Sequence, residues 1–130
     1  MLAALLLLLP ASGEVVPVDF ATLSGFDYAE GMQLPEKVRA LDGKKIGVAG
    51  FIRTEDGRQS DISVFWLVDK NCDCAGRPKM NEVVLCEMPE GQTITNDDSL
   101  VRVVGRFAAG EELDGDYVVS IYRLRVESVE

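Results

Sequence analysis

The sequence predicts a mainly β fold, a small five-stranded barrel with a short N-terminal helix. Five short β-prone runs follow residue 43 and are separated by stretches rich in Gly, Pro, Asn and Asp. Two of these runs share alternating apolar residues around a central glycine, which suits the sharp coiling of a closing barrel. The last run is long, as expected for a strand that bends across two parts of a barrel. Together these features are typical of the OB-fold, so the sequence predicts an OB-like barrel.

Residues 1–13 are predicted to be a signal peptide. The run LAALLLLL at positions 2–9 is apolar but too short to span a bilayer as a helix. Small residues follow it, and the expected cleavage site lies after Gly13, with Ala11 and Gly13 at the recognised positions. No Lys or Arg precedes the apolar run, which leaves open a start upstream of Met1; the alternative is a buried N-terminal helix or strand. A cleaved signal peptide implies an exported protein, periplasmic or secreted, with no membrane insertion after cleavage.

The segment 14–34 reads as an irregular lead-in with a few apolar anchors, and the OB-like domain is predicted over 35–130. A short helix is predicted over 35–41, because Pro35 suits the first helical position and Gly43 follows the last apolar residue closely.

The predicted strands are β-branched and aromatic runs that alternate between two faces. Acidic and glycine-rich stretches, TEDGRQSD at 54–61 and GEELDG at 110–115, are predicted to connect them. The connection at 89–98 is too short and too broken by Pro and Gly to hold the helix usual at that place in an OB-fold. The predicted strands cover residues 44–53, 63–70, 83–88, 100–108 and 116–129.

The charge and the absence of histidine exclude several classes of function. The net charge is −9, so the surface repels phosphate backbones and anionic headgroups, which argues against nucleic-acid and membrane-surface binding. The chain has no His, which removes the usual general base and the Ser-His and Cys-His nucleophile pairs. The remaining Ser, Lys and carboxylate residues form no recognisable catalytic motif. A non-catalytic protein is therefore favoured over an enzyme.

The stretch NCDCAGRPKMNEVVLC (71–86) contains all three cysteines, Cys72, Cys74 and Cys86. Two thiolates at Cys-x-Cys spacing can bind one soft ion. Cu(I) would suit the three sulfurs, and Zn(II) would be completed by a carboxylate such as Asp73 or by water. The sequence thus presents Cys72, Cys74 and Cys86 as candidate ligands for zinc or copper.

Three other interpretations of the cysteines remain open. Cys86 fits a core position, since free Cys is among the most buried residue types. A disulfide from Cys72 or Cys74 to Cys86 would staple the loop to its own hairpin in an oxidising compartment. A bond between Cys72 and Cys74 would be strained, readily reduced and suited to redox exchange.

The order of these motifs resembles a family of exported bacterial proteins, domain of unknown function 3299. That family shows a Leu-x-Gly-Lys motif, an apolar strand ending in Gly-Phe and a Phe-x-Leu-Val strand. It then has a loop of the form Cys-x-His-x-Pro-Pro-Pro, followed by Asn and a strand. The resemblance covers about residues 35–88, and the matching residues are Leu41, Gly43, Lys44, Gly50, Phe51, Phe65, Leu67, Val68, Cys72 and Asn81.

The resemblance implies a small exported OB-like domain without an established activity, and some members of the family are associated with transport systems and metal supply. Cys74 falls where the family has His, and His and Cys exchange readily as ligands for zinc or copper. Only Pro78 remains of the family's proline run, so the shape of this loop is expected to differ.

The leading hypothesis is an exported, non-catalytic binding or accessory domain. Its loop 71–82 would bind a soft metal ion or an exported partner protein, with Asp73 and Asn81 as further candidate site residues. The alternatives are a thiol-redox protein that uses Cys72 and Cys74, and a structural module with a loop-stapling disulfide.

Overall fold

The computed structural model describes residues 14–70 and 78–130, so the predicted signal peptide lies outside the described residues. In order along the chain, the described elements are β1 (Val16–Val18), α1 (Phe20–Ser24), α2 (Glu36–Arg39), β2 (Lys45–Arg53), β3 (Val64–Val68), a 3-10 turn (Met80–Glu82), β4 (Val83–Glu87), β5 (Val101–Asp114) and β6 (Tyr117–Val129). The prediction of a mainly β protein is confirmed. Within these residues no helix is both long and apolar enough to cross a membrane.

All six strands belong to one mixed sheet in the order β1-β2-β3-β4-β6-β5, with a further pairing between β2 and β5. The pairs β1–β2 and β4–β6 are parallel, and the other pairs are antiparallel. β2 has three partners along its length: residues 45–50 pair with β5, residues 46–48 also pair with β1, and residues 51–53 pair with β3. As a result, each of the strands β2 to β6 is hydrogen-bonded to at least two others.

Two glycines allow close backbone contacts where the sheet bends. Gly50 is the last residue of β2 that pairs with β5, and a Cβ there would come within 2.6 Å of the Val68 carbonyl oxygen. Gly105 lies beside a register shift between β5 and β6, and a Cβ there would lie 2.1 Å from the carbonyl oxygen of Arg125. Both are the central glycines of the repeated pattern in the sequence, and only glycine fits these approaches without a shift of the backbone.

The lead-in is more ordered than its sequence pattern indicates. β1 pairs in parallel with β2, and the side chain of Asp19 caps α1 by accepting a hydrogen bond of 2.9 Å from the backbone N–H of Thr22. Phe20 and Leu23 of α1 are buried in the core. A three-residue strand and a five-residue helix are too short to leave a periodic pattern, which is why the sequence shows only isolated apolar anchors.

Two predicted boundaries differ from the structure. The helix predicted over 35–41 is observed over Glu36–Arg39, with Pro35 at the N-cap. Residues 110–115, predicted as a connection, mostly continue β5, and the chain turns only at Gly115, which has a φ of 64°. This segment is part of an exposed two-stranded ribbon. Because its side chains need no apolar partner, an acidic and glycine-rich sequence can form it.

The core lies between the inward faces of the strands and the two helices. Tyr122 is fully buried, and its ring packs against Phe107 with centroids 5.6 Å apart. Its hydroxyl donates a 2.6 Å hydrogen bond to the carbonyl oxygen of Leu23, which ties β6 to the lead-in. Burial raises the pKa of this phenol. The buried hydrophobic cluster comprises Phe20, Leu23, Leu34, Val38, Leu41, Ile46, Val48, Ile52, Ile62, Phe65, Leu67, Val84, Cys86, Val103, Phe107, Ile121, Tyr122, Leu124 and Val126.

Candidate functional site

The cysteine loop joins β3 to β4, as the sequence predicts. Val68 at the end of β3 lies opposite Val83 at the start of β4, so the paired strands hold the two ends of the loop side by side. On the β4 side, the backbone N–H of Lys79 donates a 2.7 Å hydrogen bond to the Glu82 carboxylate, and the N–H of Glu82 donates back to the Lys79 carbonyl oxygen. This reciprocal pair fixes the short turn through which the loop enters β4.

The candidate ligands Cys72, Asp73 and Cys74 lie in the segment 71–77, outside the described residues. Within residues 14–70 and 78–130, no group of three or more Cys, Asp or Glu side chains is arranged to hold a metal ion.

Cys86, the third candidate ligand, is a free cysteine in the core. Its side chain is fully buried on the inward face of β4, and its Sγ lies 3.6 Å from the carbonyl oxygen of Val84. Burial raises the thiol pKa well above its ordinary value, because a thiolate would lose its hydration without gaining a compensating charge. A buried protonated thiol is a poor metal ligand, so this geometry favours the interpretation of Cys86 as a core residue.

Asn81 is a buried anchor at the base of the loop. It is 2% exposed, and its Nδ2 donates a 2.7 Å hydrogen bond to the carbonyl oxygen of Phe26 in the lead-in. Its Oδ1 is buried without a hydrogen-bond partner. Asn81 therefore connects the turn before β4 to the lead-in segment.

A groove lies at the other end of β3 from the cysteine loop. It encloses a volume of about 420 Å³ and is open to solvent. Its floor is formed by the outward faces of β3 and β4, where Trp66 and Leu85 lie opposite each other in the strand pairing. The groove is lined by Thr54, Glu55, Asp56, Arg58, Asp61, Ile62, Ser63, Val64, Phe65, Trp66 and Leu85.

Carboxylates dominate the charge of the groove. Glu55, Asp56 and Asp61 lie along the loop between β2 and β3, and Arg58 is the basic residue among the lining side chains. Arg58 turns back onto Asp56, with 2.9 Å between Nε and Oδ2. Hydrogen bonds from the Arg58 backbone and side chain lower the pKa of Asp56. The guanidinium charge is thus engaged within its own loop.

The sequence patterns did not predict this groove. The signal was present as three apolar residues, Val64, Trp66 and Leu85, at outward-facing positions on two adjacent strands. Recognising it required the register between β3 and β4, which the sequence does not supply. The acidic loop joins the groove only because β2 and β3 pair next to it.

The fold is shared with a solved structure, a DUF3299 family protein from Pseudomonas aeruginosa PAO1. The two chains are 17% identical with a TM-score of 0.59, and the match covers 90% of this chain and 95% of that one. At this identity the likeness shows a common fold, and at that level it confirms the family resemblance indicated by the sequence. No family model matches the chain, and no curated protein matches it.

Proposed function

We propose that this protein is an exported, non-catalytic binding module whose ligand site is the Cys-x-Cys loop. Export, to the periplasm or the medium, is supported by the apolar run and the small residues at positions 2–13. The absence of His and the net charge of −9 support a binding role that involves neither nucleic acid nor general-base chemistry.

The framework for this function is an OB-like barrel formed by β2 to β6. In its support, the pairings run β2–β3–β4–β6–β5 and return to β2, which is the circuit that a closed five-stranded barrel requires. Gly50 and Gly105 lie where β2 changes partner and where β5 shifts register. A closing sheet must coil at such positions, and the close backbone contacts there exclude a side chain.

The observation that carries the proposed site is the hairpin geometry at the base of the loop. Val68 and Val83 hold the loop ends together, and Asn81 anchors the base to the lead-in. Cys86 is buried separately in the core, which leaves Cys72 and Cys74 as the pair available to a ligand. Two thiolates and the intervening Asp73 carboxylate form a donor set suited to Zn(II) or Cu(I).

Metal analysis of the exported protein tests this proposal. We expect bound zinc or copper in the purified wild-type protein, and loss of that metal in the double variant Cys72→Ser/Cys74→Ser. The matched control is Cys86→Ala, which removes a thiol from the core and should leave the metal content unchanged. If the reduced wild-type protein has no affinity for either ion, or if the double variant retains the metal, the proposal is wrong.

The same material distinguishes the thiol-redox alternative. A Cys72–Cys74 disulfide that forms and breaks reversibly, with a reductase assay that responds to Cys72→Ser, would support redox function in place of metal binding. A permanent disulfide from either residue to Cys86, detected by mass spectrometry, would instead support a purely structural role. The latter outcome would require the core around Cys86 to open, because that side chain is fully buried.

A further inference from the structure

The groove at the start of β3 has an apolar floor that faces solvent. Trp66 and Leu85 are only partly buried, whereas the neighbouring pair Phe65 and Cys86 points into the core. Val64 precedes Trp66 by two residues, lies on the same face of β3 and is 51% exposed. Adjacent apolar side chains at outward positions of a sheet, with an indole among them, are a common feature of binding surfaces.

Among the side chains that line the groove, only negative charge is left for a ligand; Arg53, opposite Trp66 in the β2–β3 pairing, is not a lining residue and is engaged elsewhere. The Arg58 guanidinium is engaged with Asp56. Glu55 and Asp61 line the same groove, and within the described residues neither carboxylate takes part in a hydrogen bond or ion pair. A partly exposed indole in the same groove as two unpaired carboxylates favours a cation carried on an apolar stem, because the ring quadrupole and the carboxylates attract the same charge.

We infer that this groove binds a basic segment of a partner polypeptide, with an arginine or lysine side chain lying across Trp66 between Glu55 and Asp61. A single small amine would make one exposed ion pair in an open groove, which is a weak interaction. A peptide segment adds apolar contacts with Val64 and Leu85 and fills more of the volume of about 420 Å³. The site lies at the other end of β3 from the cysteine loop and does not depend on its function.

Trp66 provides a direct readout, because it is the only tryptophan in the chain. The probe is a short, capped peptide in which arginine alternates with valine, so that an extended conformation presents all its arginines on one face. We expect saturable binding that changes the fluorescence of Trp66 and weakens as NaCl is added. The matched control peptide carries citrulline, the neutral analogue of arginine, and should bind much more weakly.

Variants of the groove separate the contributions of charge and ring. Glu55→Gln/Asp61→Asn should raise the dissociation constant of the arginine peptide about threefold or more, since each carboxylate forms a partly exposed pair. Trp66→Leu should raise it about two- to thirtyfold, measured by the anisotropy of a labelled peptide. The control Asp114→Asn/Asp116→Asn removes the same charge from the β5–β6 turn, far along the chain from the groove, and should change affinity less.

Three outcomes would overturn the inference. The first is equal weakening by the groove variant and the charge-matched turn variant, which would indicate attraction to the acidic surface as a whole. The second is equal binding of the arginine and citrulline peptides. The third is binding of free ethylguanidinium as tight as that of the peptide, which would indicate a site for small organic cations. Unchanged circular dichroism and thermal midpoints confirm that each variant is folded.

Discussion

The side chain of Asn81 is buried between the lead-in and the hairpin that carries the cysteine loop. One of its polar ends is satisfied by the Phe26 carbonyl oxygen and the other is not. A buried acceptor without a partner is unfavourable. The hydrogen bond from Nδ2 to Phe26 offsets this cost and explains why an asparagine side chain is accommodated at this buried position. Asn81 thus has a structural role, the connection to Phe26, which the sequence motif alone does not reveal.

Replacing Asn81 with alanine should destabilise the protein. The variant removes the donor to Phe26 and leaves that carbonyl oxygen without its partner, which we expect to lower the free energy of unfolding by about 1–3 kcal/mol. Urea denaturation measures the change. Gln92→Ala, which removes an exposed amide from a turn, is the matched control and should change stability by less than about 0.5 kcal/mol. Equal effects of the two variants would contradict a structural role for Asn81.

Cys86 should make the stability of the protein sensitive to alkaline pH. Its folded-state pKa is raised by burial, so the folded protein keeps the thiol protonated at pH values where the unfolded chain has lost that proton. The stabilising contribution is therefore complete below the unfolded pKa, about 9, and is lost as the pH rises above it. Each such group contributes a slope of about 1.4 kcal/mol per pH unit in this range.

Denaturation of wild-type protein and Cys86→Ala across the alkaline range measures this slope. Wild-type stability should fall more steeply with pH than that of the variant, although the variant also loses some packing at every pH. Tyr122, whose pKa is likewise raised, adds a parallel decline in both proteins that begins at higher pH. Identical slopes for the two proteins would show that the Cys86 thiol becomes accessible and is not a core group.

At the scale of the elements, the two central glycines explain why β2 and β5 can bend. A side chain at Gly50 or Gly105 would meet backbone atoms of β3 or β6, which cannot move without disturbing the pairing. At Gly47 it would meet only the guanidinium end of Arg102, which can rotate away. Gly47 and Gly50 therefore differ in steric role although both lie on β2.

Gly50→Ala and Gly105→Ala should each lower the free energy of unfolding by about 1–3 kcal/mol through overpacking, with Gly105→Ala at the upper end. Gly47→Ala is the control and should have a smaller effect, because the clash is with a flexible side chain. Thermal or urea denaturation of the three variants tests the order. If Gly47→Ala is as destabilising as the other two, steric exclusion at the bends is not the reason for the glycines.

The sequence patterns predict the five longer strands but not the short elements of the lead-in or the exposed end of β5. β2 to β4 are rich in β-branched and apolar residues, with strict alternation of burial in β4, so their positions could be inferred from the sequence. β1 is three residues long, and the last four residues of β5 are all exposed, so neither leaves an alternating pattern. β1 pairs with a strand about thirty residues further along the chain, and the end of β5 forms a hairpin with β6 that needs no apolar residues, so neither pairing is evident from the apolar pattern.

The candidate sites differ in how far the sequence predicts them, because one is a continuous segment and the other combines residues from several strands. The cysteine loop is a continuous segment, and its position between the second and third predicted strands is confirmed by the pairing of Val68 with Val83. The burial of Cys86 follows from its place between outward-facing neighbours on β4. The groove combines the loop after β2 with side chains of β3 and β4, so it becomes visible only once the register is known.

At the scale of the whole molecule, the lead-in is part of the folded domain. Leu23 is fully buried, its carbonyl oxygen accepts the hydrogen bond of Tyr122, and Phe26 supports Asn81. Glu111 of β5 holds the same segment from outside, accepting hydrogen bonds from the Tyr28 hydroxyl at 2.5 Å and the Gly31 N–H at 2.7 Å. The lead-in thus connects β5, β6 and the base of the cysteine loop.

Leu23→Ala should therefore destabilise the entire domain and not merely loosen its N-terminal segment. Removal of a fully buried leucine side chain costs about 2–5 kcal/mol, because the cavity beside Tyr122 can close only partly. We expect a single cooperative transition shifted to lower urea concentration, seen equally by circular dichroism and by Trp66 fluorescence. Leu100→Ala is the matched control, since Leu100 is 61% exposed and its loss should change stability by less than about 0.5 kcal/mol. Separate transitions for the two probes, or wild-type stability of Leu23→Ala, would instead show that the lead-in folds independently of the sheet.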